Sequence, residues 1–184
     1  RNTSWDKAKF EVVGHKYADL SDHDNGVALL NDCKYGYMVH DNLLDLNLLR
    51  SPTNPDPDAD KGSHSFTYSF FPHKDNLIHS DVIEEASCLN QEPILFDGVS
   101  EKVKIPVKLN GQGLELSVLK KAEKEDAWII RIIETHGRVS SGSIELGGEI
   151  AECDLMEWKE LSKREMVSGS FMVKLNPFEI KTFK

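Results

Sequence analysis

Hydrophobic and polar positions alternate with a period of two along much of this chain. In Leu43-Leu44-Asp45-Leu46-Asn47-Leu48, the residues Leu44, Leu46 and Leu48 fall on one side, with Asp45 and Asn47 on the other. From Ser65 to Phe71, Phe66, Tyr68 and Phe70 oppose Ser65, Thr67 and Ser69. Val103, Ile105, Val107 and Leu109 alternate with Lys102, Lys104, Pro106 and Lys108, and Leu114, Leu116 and Val118 alternate with Glu115 and Ser117. Successive side chains of a strand point to opposite faces, so each run predicts a half-buried strand. The last two are joined through Asn110-Gly111-Gln112-Gly113 and read as a hairpin. Pro106 lacks an N–H for a ladder and suits an edge.

Trp128 to Ile133 is apolar on both faces apart from Arg131, the pattern of a central strand. Phe171 to Leu175 and Phe178 to Phe183 form two more runs, broken by Asn176-Pro177. One stretch has helical spacing: in Asp81 to Leu89, residues Val82, Ile83, Ala86 and Leu89 share a face, with Ser80 or Asp81 placed to cap it. Strands recurring about every ten residues between Gly, Asn, Asp and Pro clusters predict a mainly β chain of antiparallel sandwiches. Arg50 to Ser63 (RSPTNPDPDADKGS) carries three prolines and three aspartates and reads as a loop. Asn90 to Ser100 is a second loop, and the boundary between two modules is placed there.

Charge sharpens that division. Residues 1–96 hold 8 Lys/Arg against 16 Asp/Glu, and residues 97–184 hold 14 against 15. The net charge of −9 argues against nucleic acid, whose phosphates call for a basic footprint. With 39% hydrophobic and 29% charged residues over 184 positions, the chain can fold. No apolar run approaches the roughly 18 residues of a membrane helix. No basic-then-apolar leader is visible either, so a cytoplasmic location without membrane attachment is expected. Cys33, Cys88 and Cys153 form no C-x-x-C pair and read as reduced thiols.

Candidate chemistry is sparse. Asp56, Asp58 and Asp60 suggest a calcium loop, but Gly62 falls at the seventh position and Thr67 at the twelfth, where the motif wants Gly sixth and Glu twelfth. A solvated acidic loop is the plainer reading. His15, His23, His40, His64, His73 and His79 show no metal-ligand spacing. No G-x-S-x-G elbow or phosphate loop appears, and glycoside hydrolysis needs two opposed carboxylates that spacing cannot identify.

Several stretches nevertheless resemble the C-terminal β-region of glycoside hydrolase family 38 α-mannosidases of the cytosolic and bacterial type. They include Arg1-Asn2-Thr3-Ser4-Trp5-Asp6, Phe10-Glu11-Val12 and His15 to Ser21, then Ala28 to Tyr37 (ALLNDCKYGY). Leu48 to Pro52, Pro55 to Asp60, Phe66-Thr67-Tyr68 and Phe71-Pro72-His73 follow. Trp128 to Arg131, Glu134 to Gly137, Glu152 to Leu155 and Pro177 to Ile180 fit more loosely. Tyr17 departs from the pattern, where such enzymes commonly carry Trp.

The resemblance implies the closing part of a large β-sandwich domain (a supersandwich, residues 1–96) and a small terminal β-sandwich (97–184). It implies that the parent is a retaining α-mannosidase whose nucleophile and zinc, or another divalent metal, belong to an N-terminal catalytic domain of the same chain. No catalytic or metal-binding residue is expected here. The implied partners are that catalytic domain and the α-mannoside substrate, with homo-oligomerisation of the parent left open. In related enzymes a turn of the β-region reaches the sugar beyond the cleavage point. The substrate-facing candidates are therefore Arg50, Asp58, Asp60, Lys61 and His64, with Arg50 or Lys61 as the cation. Mutual pairing of Asp58, Asp60 and Lys61 in a domain-packing loop is the alternative. A rival function is an autonomous carbohydrate-binding module using Trp5, Tyr35, Tyr37 or Trp158 as its aromatic platform. A third is a contact surface around Phe70, Phe71 and Leu77.

Overall fold

The computed structural model describes residues 10–95, 97–98 and 107–184, and the chain divides into two compact units, Arg1–Asp97 and Gly98–Lys184. Both are built from antiparallel sheets, with one short α-helix among the described residues, in the first unit, so the mainly β reading is correct. No helix among the described residues is long and apolar enough to cross a membrane.

In the first unit, β1 (Val12–Val13), β4 (Gly36–His40) and β5 (Leu43–Asn47) form one sheet in the order β1-β4-β5. Strands β2 (Tyr17–Ser21), β3 (Asn25–Asn31) and β6 (Tyr68–Lys74) form another, with β3 central. Helix α1 (Val82–Asn90) lies across one face of the second sheet. Its fully buried Val82 and Ala86 meet Ala28 and Leu30 of β3, with Tyr17, Phe71, Leu77 and Leu89 closing the cluster. Of the four apolar positions read from the sequence, Val82, Ala86 and Leu89 pack in this cluster, and Ile83 is half-buried outside it. The start is fixed weakly: Asp81 makes no side-chain cap, and Ser80 Oγ accepts from the Val82 N–H at 3.4 Å.

The alternation around Phe70 is present, but its burial is reversed. The strand starts at Tyr68 rather than Ser65, and Phe71 stands opposite Ala28 beneath the helix, so Phe71 and Leu77 are half-buried. Tyr68 and Phe70 point to the uncovered face, where Phe70 is 68% exposed. Both faces of this strand carry aromatics, and the helix decides which is covered.

The second unit is a two-sheet sandwich. One sheet has the order β12-β10-β7, from β7 (Lys108–Asn110), β10 (Ser140–Ile150) and β12 (Glu165–Leu175). The other has the order β11-β13-β9-β8, from β8 (Leu114–Lys121), β9 (Trp128–Glu134), β11 (Glu152–Cys153) and β13 (Ile180–Phe183). Ile130 and Ile132 of β9, Ile144 and Ile150 of β10, Val173 and Leu175 of β12, and Phe183 of β13 fill the space between. β9 is flanked on both sides, as its two-faced apolar pattern requires.

Two expectations change here. The hairpin does not form, because β7 pairs with β10 whereas β8 pairs with β9. Gly111 (φ +155°) and Gly113 (φ +76°) turn the chain from one sheet to the other instead of folding it back in its own plane. The run over Lys102 to Pro106 lies outside the described residues. The last strand begins at Ile180, because Phe178 sits in the preceding turn at φ +58° and is 70% exposed.

Candidate functional site

The Arg50–His64 segment leaves β5 and closes on itself before β6 begins. Its anchor is Asp60, whose carboxylate accepts the backbone N–H groups of Ser51 at 2.8 Å and Arg50 at 3.3 Å, nine and ten residues earlier. The Asp60 carbonyl in turn meets His64 Nε2 at 2.9 Å. Asp56 Oδ1 accepts from the Asp58 N–H at 2.9 Å, a local turn of the kind short carboxylates favour. The three aspartates are thus spent on holding the loop's own backbone or, for Asp58, on pairing Lys61.

That loop forms one wall of a groove of about 650 Å³, with Arg50, Asp60 and His64 on one side and Glu11, Tyr35 and Asn47 on the other. Arg50 donates to Glu11 Oε2 at 2.8 Å, and Asn47 Nδ2 donates to Glu11 Oε1 at 2.9 Å. Tyr35 is half exposed and rests against the His15 ring, centroids 4.7 Å apart. Three of the five candidates, Arg50, Asp60 and His64, therefore meet at the groove. Asp58 and Lys61 pair with each other in the open, a contact worth roughly 0–1 kcal/mol. Sequence reasoning missed Glu11 and Asn47, which lie 36 to 39 residues from their partners or closer only through the sheet. Only the β1-β4-β5 pairing brings them together.

The groove offers a guanidinium, an amide, an imidazole and a phenol, groups suited to holding hydroxyls. Its carboxylates are structural: Glu11 bridges Arg50 and Asn47, and Asp60 ties the loop. Among the described residues no group of three or more His, Cys, Asp or Glu side chains is placed to hold a metal ion. The described residues thus supply no donor set that fits a catalytic zinc.

Two buried polar clusters complete the survey of reactive groups. In the first unit, His73 Nε2 meets Asp19 Oδ1 at 2.7 Å and His73 Nδ1 faces the Lys74 carbonyl at 3.1 Å, with Ser21 Oγ donating to Asp19 Oδ2 at 2.6 Å. The serine hydroxyl is turned to the aspartate and not to the imidazole, so this Ser-His-Asp set lacks the activated nucleophile of a hydrolase triad. Burial opposes charge on His73, but the Asp19 carboxylate and the Lys74 carbonyl outweigh it and raise its pKa. Gly26 lies against the ring: a Cβ there would come within 2.3 Å of it.

In the second unit, Glu134 is fully buried. It accepts from the backbone N–H groups of His136, Gly137 and Phe178, each at 2.9 Å, and from Ser140 Oγ at 3.0 Å. Desolvation works against its charge, yet the four donors prevail and its carboxyl is held below the ordinary range. It joins the turn that follows β9 to the turn that precedes β13, 44 residues away in sequence.

The aromatic candidates separate sharply. Tyr37 is 1% exposed, its hydroxyl beside the Asn31 amide, and offers no platform. Trp158 is 66% exposed, and Trp5 lies outside the described residues.

Comparison with known proteins bears on the whole chain. Residues 1–58 match the model of the glycosyl hydrolases family 38 C-terminal domain, and residues 113–183 match that family's C-terminal beta sandwich domain. Alpha-mannosidase G of Dictyostelium discoideum is 40% identical over 196 aligned positions that span all of this chain and 18% of its own length. Alpha-mannosidase 2C1 of Homo sapiens is 38% identical over 85% of the chain and 16% of its own length. The chain thus spans under a fifth of these relatives. Among solved structures, a family 38 glycosyl hydrolase from Enterococcus faecalis superposes with a TM-score of 0.70 at 14% identity, covering 96% of this chain and 23% of that one, a likeness of fold. Two family models over more than half the residues, on antiparallel sheets of the matching kind, lead to one assignment: the chain belongs to the C-terminal β-region of glycosyl hydrolase family 38.

Proposed function

We propose that this chain is the non-catalytic closing β-region of an α-mannosidase, which supports the catalytic domain and helps shape the aglycone side of its cleft. Hydrolysis of terminal α-mannosides, retaining and dependent on zinc or another divalent metal, takes place on polypeptide outside these residues. Identity of 40% to a named α-mannosidase along the full chain supports the enzyme class.

The observation that carries the supporting role is the uncovered face of the β2-β3-β6 sheet. Leu20, Val27, Leu29 and Phe70, with Leu43 and Leu44 of β5, line an apolar groove of about 520 Å³. Contiguous apolar surface of this kind marks an interface. The groove around Arg50 and His64 supports the second part, since its polar groups fit sugar hydroxyls and its own carboxylates are engaged in holding it. Free thiols at Cys33, Cys88 and Cys153 fit a cytoplasmic setting.

The test is an aryl α-mannoside assay on the 184-residue chain and on a longer protein that carries it. Turnover is expected only from the longer protein. Zinc-dependent turnover by the highly purified 184-residue chain would refute the proposal. In the longer protein, Arg50→Ala is expected to raise KM for mannobiose about ten-fold while leaving small aryl mannosides unchanged. Equal effects on both substrates would remove the loop from the aglycone side.

A further inference from the structure

We propose that the second unit carries its own binding pocket for a terminal α-mannopyranosyl residue, built around Trp158. The pocket lies between the turn that follows β11 and the link between β8 and β9. It is lined by Trp158, Met156 and Leu155 on one wall and by Lys120, Glu123 and Lys124 on the other. Its volume is about 210 Å³, room for about seven waters at roughly 30 Å³ each, which suits one sugar ring rather than a chain.

The indole is presented by a braced turn. Asp154 Oδ1 accepts the Trp158 N–H at 2.9 Å and the Lys159 N–H at 3.4 Å, while the Asp154 carbonyl accepts the Glu157 N–H at 2.9 Å. Arg131 reaches in from β9, donating to the Leu155 carbonyl at 3.0 Å and to Glu157 at 3.3 Å. Glu157, at φ +65°, also pairs with Lys120 at 2.9 Å. So many ties hold the turn in place, yet its apolar residues point outward: Leu155, Met156 and Trp158 are 56%, 62% and 66% exposed. A rigid aromatic costs little ordering entropy when a ligand stacks on it.

Charge selects against an ion. Glu157 is met by Lys120 and Arg131, and Glu125, at the pocket's edge, by Lys184 and Arg164. Toward the opening stand the Lys124 ammonium, 4.0 Å from the Trp158 ring centroid, and the exposed Glu123 carboxylate, which lies 3.8 Å from Lys120 Nζ and keeps its outer face to solvent. One donor and one acceptor beside an aromatic plane match a pyranose, with its apolar ring face and its hydroxyl edge. Lys124 sits where it can cede the ring face and take a hydroxyl. The class, a neutral hexopyranose, follows from the pocket; the choice of mannose rests on the proposed function.

The experiment follows the indole N–H signals of the 184-residue chain by NMR during titration with methyl α-mannoside, and separately with sodium phosphate. Expected is a saturable shift of the Trp158 signal with methyl α-mannoside, half-complete on the order of millimolar for so small a ligand, with the Trp128 signal unmoved. Trp158→Ala, at an exposed position, should abolish all saturable shifts, and Lys124→Ala should weaken the binding about five-fold or more. No saturable shift at Trp158, a response to phosphate instead, or a shift at Trp128 alone would overturn the pocket. The readout needs no turnover. An unmoved Trp158 beside an active longer protein would sink this site alone, while binding without mannosidase activity in the longer protein would sink the proposed function alone.

Discussion

Glu134 shows how one buried side chain can set two turns. Its carboxylate accepts four donors from residues 136, 137, 140 and 178, so a segment next to it in sequence and one 44 residues away are fixed by the same pair of oxygens. Glu134→Gln keeps the shape but places an NH₂ against N–H donors, leaving buried groups unsatisfied. The expected loss is about 2–4 kcal/mol, read as a lower urea midpoint with unchanged slope. In sequence this residue was one more acid after an apolar run. Its importance depends on burial, which local pattern does not report.

At the scale of elements, the two faces of the β2-β3-β6 sheet carry different roles. One is sealed by α1 through Val82 and Ala86; the other leaves Leu20 and Leu29 half-buried and Phe70 exposed. Phe70→Ser should therefore shift folding stability by no more than about 0.5 kcal/mol while reducing self-association of the chain. Analytical ultracentrifugation alongside thermal melting checks both. A large stability loss would mean that Phe70 is core. The period-two pattern placed these aromatics on a strand, but both faces were aromatic, and only packing of the helix distinguished them. β10 was illegible for a related reason: Ser140 to Ile150 is rich in Ser and Gly, with Ile144 and Ile150 as its fully buried apolar residues, and its register against β12 holds it in the sheet.

For the whole molecule, two units with separate cores should unfold in separate transitions that pH moves in opposite directions. The first unit contains His73, whose raised pKa means that its contribution is fully present below the unfolded value near 6.5 and is lost as pH climbs through the folded value. Asp19 is the carboxylate facing that ring, and the Lys74 carbonyl faces its other nitrogen. The second unit contains Glu134, whose lowered pKa contributes above the unfolded value near 4.5 and is lost as pH falls through the folded value. Calorimetry from about pH 2 to about pH 9 is expected to show one transition weakening toward alkaline pH and the other weakening below about pH 4.5. His73→Gln should flatten only the first. A single transition with one common pH trend would contradict this division.

The amino-acid sequence by itself determined that the chain is built from strands, where helix α1 lies, and which family it resembles. Those properties rest on alternation, helical spacing and residue identity, all local. Tertiary structure decided which face of β6 is buried, that β7 and β8 belong to different sheets, and that Glu11 and Asn47 complete the groove around Arg50. It also turned Tyr37 inward and Trp158 outward. Each of these depends on which distant segment arrives to cover a given surface, and a pairing between residues tens of positions apart leaves no trace in the spacing of either.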